Sequence, residues 1–261
     1  MYSVNARFHN IWVCGLASNI SRDSPYFIFE NDKRRKTLTD QNIWELSGRA
    51  RHRQERRAQV TAFYLRPEEG DIILDAGCGE GFVVSHLLKA SLVVGLDLSE
   101  NSLKIAKKKL EANNVQFIRA DAAAMPLREG SVDKVIMLEV LEHLPIESQR
   151  RLCKEIDMVL KKGGTLIITV PYKEQITYIR CIHCGKLTPL WGHLHSMDEG
   201  KVSQLLPKNY ALISSYHFPN VEIVSASTIF QHLPFRFWLL LNNLLGRIWK
   251  GYWILLQYIK G

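Results

Sequence analysis

The sequence predicts an α/β fold built on a doubly wound, seven-stranded and mostly parallel sheet with an antiparallel edge strand. Short apolar runs alternate with segments of helical length between residues 66 and 171, as in a parallel sheet covered by helices. The first apolar run breaks into a turn with glycine at every second position. Each of the first three runs ends in an aspartate, at the edge where such sheets bind ligands.

Five apolar runs are predicted to be parallel strands, over residues 71–75, 92–97, 115–120, 132–138 and 164–170. Helices are predicted over 99–112 and 146–160, in gaps between these strands. Farther along the chain, the pattern predicts a helix over 198–206. It also predicts two strands, over 209–217 and 221–227, close enough to pair antiparallel.

The turn after the first strand contains Gly77, Gly79 and Gly81, directly behind Asp75. Because glycine has no Cβ, the backbone N–H groups of such a turn can approach a ligand closely. Dinucleotide oxidoreductases and simple tight turns share this feature. The turn alone therefore indicates only a nucleotide-like cofactor.

The second and third strands end in Asp97 and Asp121. A carboxylate at the tip of the strand beside the glycine turn can accept hydrogen bonds from both hydroxyls of a ribose. Structural roles are also open: Asp97 as a turn residue before Ser99, and Asp121 as the N-cap of a helix that begins at Ala122. These roles are compatible with ligand contact.

The order and spacing of these parts resemble the class I S-adenosylmethionine-dependent methyltransferases, and the type 11-like ones in particular. The matching segments are 74–81, 95–99, 120–122, 125–127, 131–136, 138–144 and 160–166, so the resemblance covers about residues 65–171. It implies a Rossmann-like sheet and S-adenosylmethionine as cofactor. The cofactor has no phosphate, and a glycine turn rimmed by Asp75 and Glu80 suits its cationic methionine end better than a pyrophosphate.

The resemblance also implies roles for individual residues. The glycine turn would pack on the methionine and the ribose, and Asp97 would hold the ribose hydroxyls. Asp121 would accept from the adenine amino group near the Ala122 amide, while Leu98 would cover the adenine. The implied cofactor-binding residues are Asp75, Gly77, Cys78, Gly79, Gly81, Phe82, Asp97, Leu98, Asp121, Ala122 and Leu138.

The chemistry is expected beside the end of the fourth strand, where Glu139, Glu142 and His143 lie. Methyl transfer is an in-line attack on a sulfonium methyl, so a protein mainly supplies alignment, and a base only where the acceptor must lose a proton. These residues are candidates for a base or for a hydrogen bond to substrate. The alternative is that the Glu-His pair orients the loop.

The segment after the fifth strand, 172–200, contains a small Cys/His insertion. Cys181 and Cys184 have the spacing of a zinc knuckle, and His193 and His195 could complete a tetrahedral zinc site. The alternative is a cysteine-containing loop with its histidines facing substrate, because some relatives place a Gly-His of this kind in the acceptor pocket. His193 is therefore also a catalytic candidate.

The predicted organisation has three parts: an N-terminal segment with a helical cap over 1–65, a catalytic domain over 66–234, and a C-terminal helix over 235–261. In the cap, Trp44 or Tyr64 either lines the pocket or, as we favour for each residue singly, anchors the helix. The C-terminal segment is aromatic and apolar with a basic edge, which is typical of an interfacial membrane helix. Packing against the domain or a second subunit is equally open.

The formal net charge of +8 favours acidic or phosphate-bearing partners without choosing among them. Five cysteines, an odd number, and no evident secretory signal predict a cytoplasmic protein, with peripheral membrane binding left open. The arginines between Arg49 and Arg57 could attract the phosphates of an RNA substrate, but no RNA-binding motif accompanies them. We therefore expect methyl transfer to a small-molecule or lipid-linked acceptor, with an RNA methyltransferase or a catalytically silent cofactor-binding module as alternatives. The sequence indicates no oligomeric state.

Overall fold

The computed structural model describes residues 42–180, 185–218 and 232–261. Seven strands form one sheet: β1 (Ile72–Ala76), β2 (Leu92–Asp97), β3 (Val115–Arg119), β4 (Val132–Leu138), β5 (Leu160–Pro171), β8 (Tyr210–Phe218) and β9 (Trp253–Lys260). Their spatial order is β3-β2-β1-β4-β5-β9-β8. Strands β1 to β5 pair in parallel, and β9 runs antiparallel to both of its neighbours, β5 and β8. The predicted sheet is confirmed, with the antiparallel strand one position in from the edge.

The helices of the described residues are α1 (Gly48–Leu65), α2 (Glu100–Lys109), α3 (Ile146–Val159), α4 (Glu199–Leu205) and α5 (Phe235–Gly246). Three single-turn 3₁₀ helices lie at Ile43–Glu45, Val84–His86 and Leu141–His143. A separate two-stranded sheet joins β6 (Tyr178–Arg180) to β7 (Leu187–Pro189). The predicted helices over 99–112, 146–160 and 198–206 are therefore present.

Alternate residues of each parallel strand enter opposite faces of the sheet. In β1, Ile73 belongs to the core under α1 and α5, whereas Leu74 and Ala76 belong to the core under α3. All three side chains are fully buried. Strands covered on both faces read as continuous apolar runs, which explains why these strands are evident in the sequence. The same packing fixes the carboxyl ends of β1, β2 and β4 side by side.

The prediction of one C-terminal helix over 235–261 is wrong. Helix α5 ends at Gly246, and the chain returns as β9, between β5 and the edge strand β8. Within β9, Ile254, Leu255 and Leu256 are all fully buried, because neighbouring residues face both layers of the core. An apolar run buried on both faces has no period that separates a strand from a helix.

The predicted hairpin is also revised. Strand β8 confirms the run over 209–217, but its partner in the sheet is β9, and 221–227 lies outside the described residues. The connection between β1 and β2 contains only the 3₁₀ turn at Val84–His86, and no helix lies between β3 and β4, where residues 120–131 are all described. Among the helices described, none has both the length and the apolar character needed to cross a bilayer.

Candidate active site

The glycine turn is attached to the tips of β1 and β2. The backbone N–H groups of Gly77 and Cys78 both donate to the carbonyl of Leu96, at 2.8 and 3.0 Å. All three glycines have positive φ angles: 90° at Gly77, 53° at Gly79 and 73° at Gly81. At Gly77 a Cβ would lie 2.6 Å from Cγ2 of Val140, so this position excludes a side chain on grounds of space as well as conformation.

Asp75 lies one residue before the end of β1 and is 2% exposed. Burial, and secondarily the nearby charge of Asp97, raises the pKa of its carboxyl to about 8. A nearby cation would stabilise the charged form of such a buried carboxyl and offset the effect of burial. The group is therefore suited to an ammonium or sulfonium ligand.

Asp97 connects the glycine turn to the start of α2. Its two carboxylate oxygens accept hydrogen bonds from the backbone N–H groups of Gly79, at 2.9 Å, and Ser99, at 2.7 Å. The turn role predicted for Asp97 is thus present. At Asp121 the carboxylate accepts from the N–H of Ala123 at 2.8 Å, but 122–124 is not helical, so the alternative of a helix N-cap there is wrong.

A cavity of about 340 Å³ opens beside the glycine turn. Of the residues predicted from the sequence, Asp75, Gly77, Cys78, Gly79, Phe82, Leu138 and Glu139 line it. Gly81, Asp97, Leu98, Asp121 and Ala122, which include all those expected at the adenine, are not part of this lining. The structure therefore brings together Asp75 and two glycines of the turn, Gly77 and Gly79, which were expected at the methionine end of a cofactor.

The sequence did not identify the lining residues that come from the cap and from β5. They include Ile43, Gln54, Arg57, Thr61 and Thr169. The only signal for the cap residues was the position of a helical segment just before the first strand, because in the family that the sequence resembles such a segment covers the cofactor.

The cap is fastened to the glycine turn through Glu80. Its carboxylate accepts from the N–H of Ile43 at 2.8 Å, and its carbonyl accepts from Nε1 of Trp44 at 2.8 Å. Burial raises the pKa of the Glu80 carboxyl. The rings of Trp44 and Phe82 pack edge to face with centroids 5.2 Å apart, so Trp44 is an anchor of the cap. Tyr64 packs on Tyr216 in the same role, with ring centroids 5.2 Å apart.

Glu139 connects three elements at the rim of the cavity. Its carboxylate accepts from Oγ1 of Thr169 at 2.9 Å and from Nε1 of Trp253 at 2.7 Å, and it forms an ion pair with Arg57 at 3.2 Å. The Arg57 guanidinium also lies 4.5 Å from the centre of the Trp253 ring. With these partners, Glu139 is placed to position the cap against the sheet.

Next to Glu139, the turn at Leu141–His143 carries the other two predicted catalytic residues. Glu142 is fully buried, and burial, followed by the charge of Glu139, raises the pKa of its carboxyl well above the ordinary range. The ring of His143 lies 4.7 Å from that of His193, so the structure brings these two predicted residues together. His193 Nδ1 is hydrogen-bonded to Glu174, a residue that sequence reasoning missed.

The predicted zinc ligands are only partly within the described structure, since Cys181 and Cys184 lie outside it. His193 groups with Glu142 and His143. His195 contributes its backbone N–H, which donates to the carbonyl of Glu142 at 3.3 Å. The four-residue zinc site stays a prediction.

Comparison with known proteins identifies the domain that contains this site. Residues 74–168, from β1 to β5, match the family described as "Methyltransferase domain". The chain contains a methyltransferase domain of the class I S-adenosylmethionine-dependent family. The glycine turn, the strand-end aspartates and the Glu139–His143 segment all belong to this domain.

Several curated methyltransferases are similar to the chain. A tRNA (carboxymethyluridine(34)-5-O)-methyltransferase of Arabidopsis thaliana is 36% identical over 118 residues, which are 45% of this chain and 28% of that protein. A probable S-adenosylmethionine-dependent methyltransferase of Mycobacterium tuberculosis is 29% identical over 178 residues, 66% of this chain and 61% of its own length. A demethylmenaquinone methyltransferase of Lactococcus lactis is 40% identical over 102 residues, with coverage of 36% and 40%. The chain thus spans less than two thirds of each relative.

Solved structures share the fold of the methyltransferase domain. A protein from Pyrococcus horikoshii superimposes with a TM-score of 0.60 at 19% identity, covering 87% of this chain and 97% of that one. A geranyl diphosphate methyltransferase in complex with S-adenosylmethionine gives a TM-score of 0.58 at 15% identity, with coverage of 80% and 87%. At these identities the likeness is one of fold.

Proposed function

We propose that the protein is an S-adenosylmethionine-dependent methyltransferase that acts on a small-molecule or lipid-linked acceptor. One observation carries the proposal: the buried carboxyl of Asp75 and the glycine turn meet in a cavity at the carboxyl ends of β1 and β4. This is the part of the sheet to which the methyltransferase family assigns its cofactor.

The charges around the cavity fit the methionine end of S-adenosylmethionine. Three carboxyl groups, those of Asp75, Glu80 and Glu139, line the cavity together with one guanidinium, that of Arg57. Such a lining favours a ligand that carries an ammonium and a sulfonium over a pyrophosphate. When bound, the cofactor supplies the methyl group on its sulfonium.

The residues of the chain would bind the cofactor and align it for methyl transfer. Asp75 would accept from the ammonium, and the glycine turn would admit the backbone of the ligand without a side chain in the way. Asp97 would accept hydrogen bonds from the ribose hydroxyls. Glu139 and Arg57 would hold the cap in place and keep water from the reacting atoms.

The outward face of α5 supports a lipid-linked acceptor. Phe237, Leu240, Leu244, Ile248 and Trp249 are each between 50% and 89% exposed, although the first three lie on a helix that packs against the sheet. The basic residues Arg236, Arg247 and Lys250 are exposed among them. Apolar side chains with a basic edge suit an anionic bilayer surface.

This face leads directly to the candidate site. Only three residues separate Trp249 from Trp253, whose indole contacts Glu139 at the cavity. Tyr252, between them, donates to Glu174 at 2.6 Å. We propose peripheral binding at the cytoplasmic surface of a membrane, where a lipid-borne acceptor would reach the cavity from the α5 side. The acceptor named for one relative, demethylmenaquinone, is of compatible chemistry.

The RNA alternative draws support from the name of the Arabidopsis relative, but the arginines of α1 do not favour it. Arg56 is 5% exposed and contacts Trp238, while Arg57 pairs with Glu139. Arg51 pairs with Glu55 at 3.7 Å and covers the Phe82 ring. These side chains serve the fold and the cavity, which leaves little of the cluster for phosphates.

Calorimetry and turnover test the proposal in sequence. The full chain is titrated with S-adenosylmethionine and with S-adenosylhomocysteine. We expect about one molecule of either compound to bind per chain. Formation of S-adenosylhomocysteine is then measured with quinol and prenyl diphosphate acceptors in vesicles and with bulk tRNA. Folded protein that gives no heat with either compound contradicts the proposal, and binding without turnover on every acceptor indicates a silent module.

A further inference from the structure

We propose that Glu142, His143 and His193 form a binding site for one divalent transition-metal ion, beside the cofactor cavity. One ligand atom from each residue lies within 4.8 Å of the others. Glu142 and His143 come from the turn after β4, and His193 comes from the loop before α4. The set shares only His193 with the Cys/His zinc site predicted from the sequence. Binding of this ion does not depend on the proposed methyl transfer.

The first support is the state of the Glu142 carboxyl. The side chain has no exposed surface, and neither of its oxygens has a hydrogen-bond partner among the described residues. Burying a carboxyl whose oxygens accept no hydrogen bond is costly. A cation bound at these two oxygens would remove that cost.

The second support is the position of the proton on the two imidazoles. His143 Nδ1 lies 3.2 Å from the carbonyl of Gly192, and a carbonyl can only accept, so this nitrogen carries the proton. His193 Nδ1 is hydrogen-bonded to the carboxylate of Glu174. Because a carboxylate also only accepts, this nitrogen carries the proton as well. In the neutral rings the lone pair is therefore on Nε2 in both residues. Two Nε2 atoms and a carboxylate are a ligand set for Zn²⁺, Co²⁺ or Fe²⁺.

The third support is the shell around the ligands. Metal-bound histidines usually donate their second ring N–H to a carboxylate or a carbonyl, and here Glu174 and Gly192 occupy those positions. Glu174 is held in turn by the hydroxyl of Tyr252 at 2.6 Å. The backbone N–H of Leu194 donates to the carbonyl of Glu142 at 2.7 Å, which fixes the loop of His193 against the turn of Glu142.

The ion site lies close to the cofactor cavity, where a bound ion could hold the methyl acceptor. Glu142 lies three residues after Glu139, which lines the cofactor cavity. Three protein ligands leave at least one coordination position open, as in catalytic rather than structural metal sites. An acceptor with an oxygen lone pair could take that position and be held beside the transferable methyl group.

Titration of the chelator-treated full chain with Co²⁺ and with Zn²⁺ tests the site. We expect about one equivalent of Co²⁺ to bind, with the absorption bands of a nitrogen and oxygen environment, and Zn²⁺ to displace it. Mg²⁺ is the comparison ion, since it prefers oxygen ligands and should not compete. Glu142→Gln, His143→Gln and His193→Gln should each weaken binding at least tenfold.

Matched variants separate this site from the cysteine-containing one. His195→Gln changes the other histidine of the same loop, and Cys184→Ser removes a ligand of the alternative site, so neither should alter Co²⁺ affinity. Sulfur-to-metal charge-transfer absorption that disappears in Cys184→Ser, with no effect of Glu142→Gln, overturns the proposal. So does binding of less than about a fifth of an equivalent. If Glu142→Gln fails to fold, the two histidine variants decide in its place.

Discussion

Nε1 of Trp253 donates a hydrogen bond to the carboxylate of Glu139 over 2.7 Å, and this bond joins the last strand of the sheet to the rim of the cofactor cavity. The two residues are 114 positions apart in the chain. Between them, the guanidinium of Arg57 pairs with Glu139 and covers the indole ring. The cavity thus depends on a strand that the methyltransferase match over 74–168 does not include.

Trp253→Phe tests this connection. The phenyl ring keeps a surface for Arg57 but removes the donor, leaving one oxygen of Glu139 without this partner. We expect a loss of about 1–2 kcal/mol in the free energy of unfolding, measured in urea, and a lower turnover. Tyr252→Phe is the comparison variant: it removes a hydrogen bond of the same kind to Glu174, and so shows how much of the effect is specific to Glu139. Unchanged stability and turnover in Trp253→Phe would show that the bond is unimportant.

Gly77→Ala should be poorly tolerated for a reason that a second variant can isolate. The new Cβ would lie 2.6 Å from Cγ2 of Val140, in addition to the cost of a φ of 90°. Gly70 has a similar φ of 98° and nothing within 4 Å of the added Cβ. Gly70→Ala should therefore lower the free energy of unfolding only through the backbone conformation, by about 1–2 kcal/mol. We expect Gly77→Ala to cost more than this in urea and to abolish binding of S-adenosylhomocysteine.

Shortening Val140 should relieve that collision. In the double variant Gly77→Ala/Val140→Ala the Cγ2 atom is absent, so the two substitutions should cost less together than their sum. Strict additivity would mean that backbone conformation, and not the contact with Val140, makes glycine necessary at position 77.

Asp75 should make stability fall as pH rises. Its carboxyl pKa is about 8 in the folded chain, above the ordinary value near 3.9. A raised pKa means that the stabilising contribution of the protonated form is complete below about pH 4 and is lost as pH rises towards 8. The stability of Asp75→Asn relative to the parent chain should therefore grow from pH 4 to pH 8 and then level. A difference that is independent of pH would contradict this.

The same group predicts proton release when the cofactor binds. At pH 7 a carboxyl with a pKa of about 8 is mostly protonated, and an ammonium placed beside it would lower that pKa. Binding should then release a fraction of a proton, up to one, seen calorimetrically as a dependence of the binding heat on the ionisation enthalpy of the buffer. Asp75→Asn should lose this dependence. If the variant and the parent chain release the same number of protons, Asp75 does not contact the cation.

Membrane binding should depend on the outward face of α5. Replacing both Leu240 and Leu244 by Glu puts charge on that face without touching the buried Trp238 or Leu239. We expect loss of pelleting with phosphatidylserine vesicles. Leu187→Glu, at a comparably exposed position on β7, is the control. Retained pelleting would refute the membrane assignment, and a change in sedimentation of the protein alone would indicate an interface between two copies.

Local signals account for what the sequence could predict. Strand β1 is followed at once by its glycine turn, and the acids at the ends of β1, β2 and β3 mark one edge of the sheet. The position of β9 has no such signal, because its neighbours β5 and β8 are both far from it in the chain.

The partners of the predicted acids were also beyond sequence reasoning. Arg57 reaches Glu139 from the cap, and Glu174 reaches His193 from the loop after β5. Neither contact has a characteristic spacing, since each depends on how two segments fold onto the sheet. The catalytic candidates were therefore found without the groups that orient them.

The place of β9 between β5 and β8 has a consequence for biosynthesis. A ribosome makes both flanking strands before the one that fills the gap, so each offers an unpaired edge while translation continues. Until β9 emerges, the nascent polypeptide has its glycine turn but not the indole that steadies Glu139. We expect this interval to be when the newborn protein most needs a chaperone.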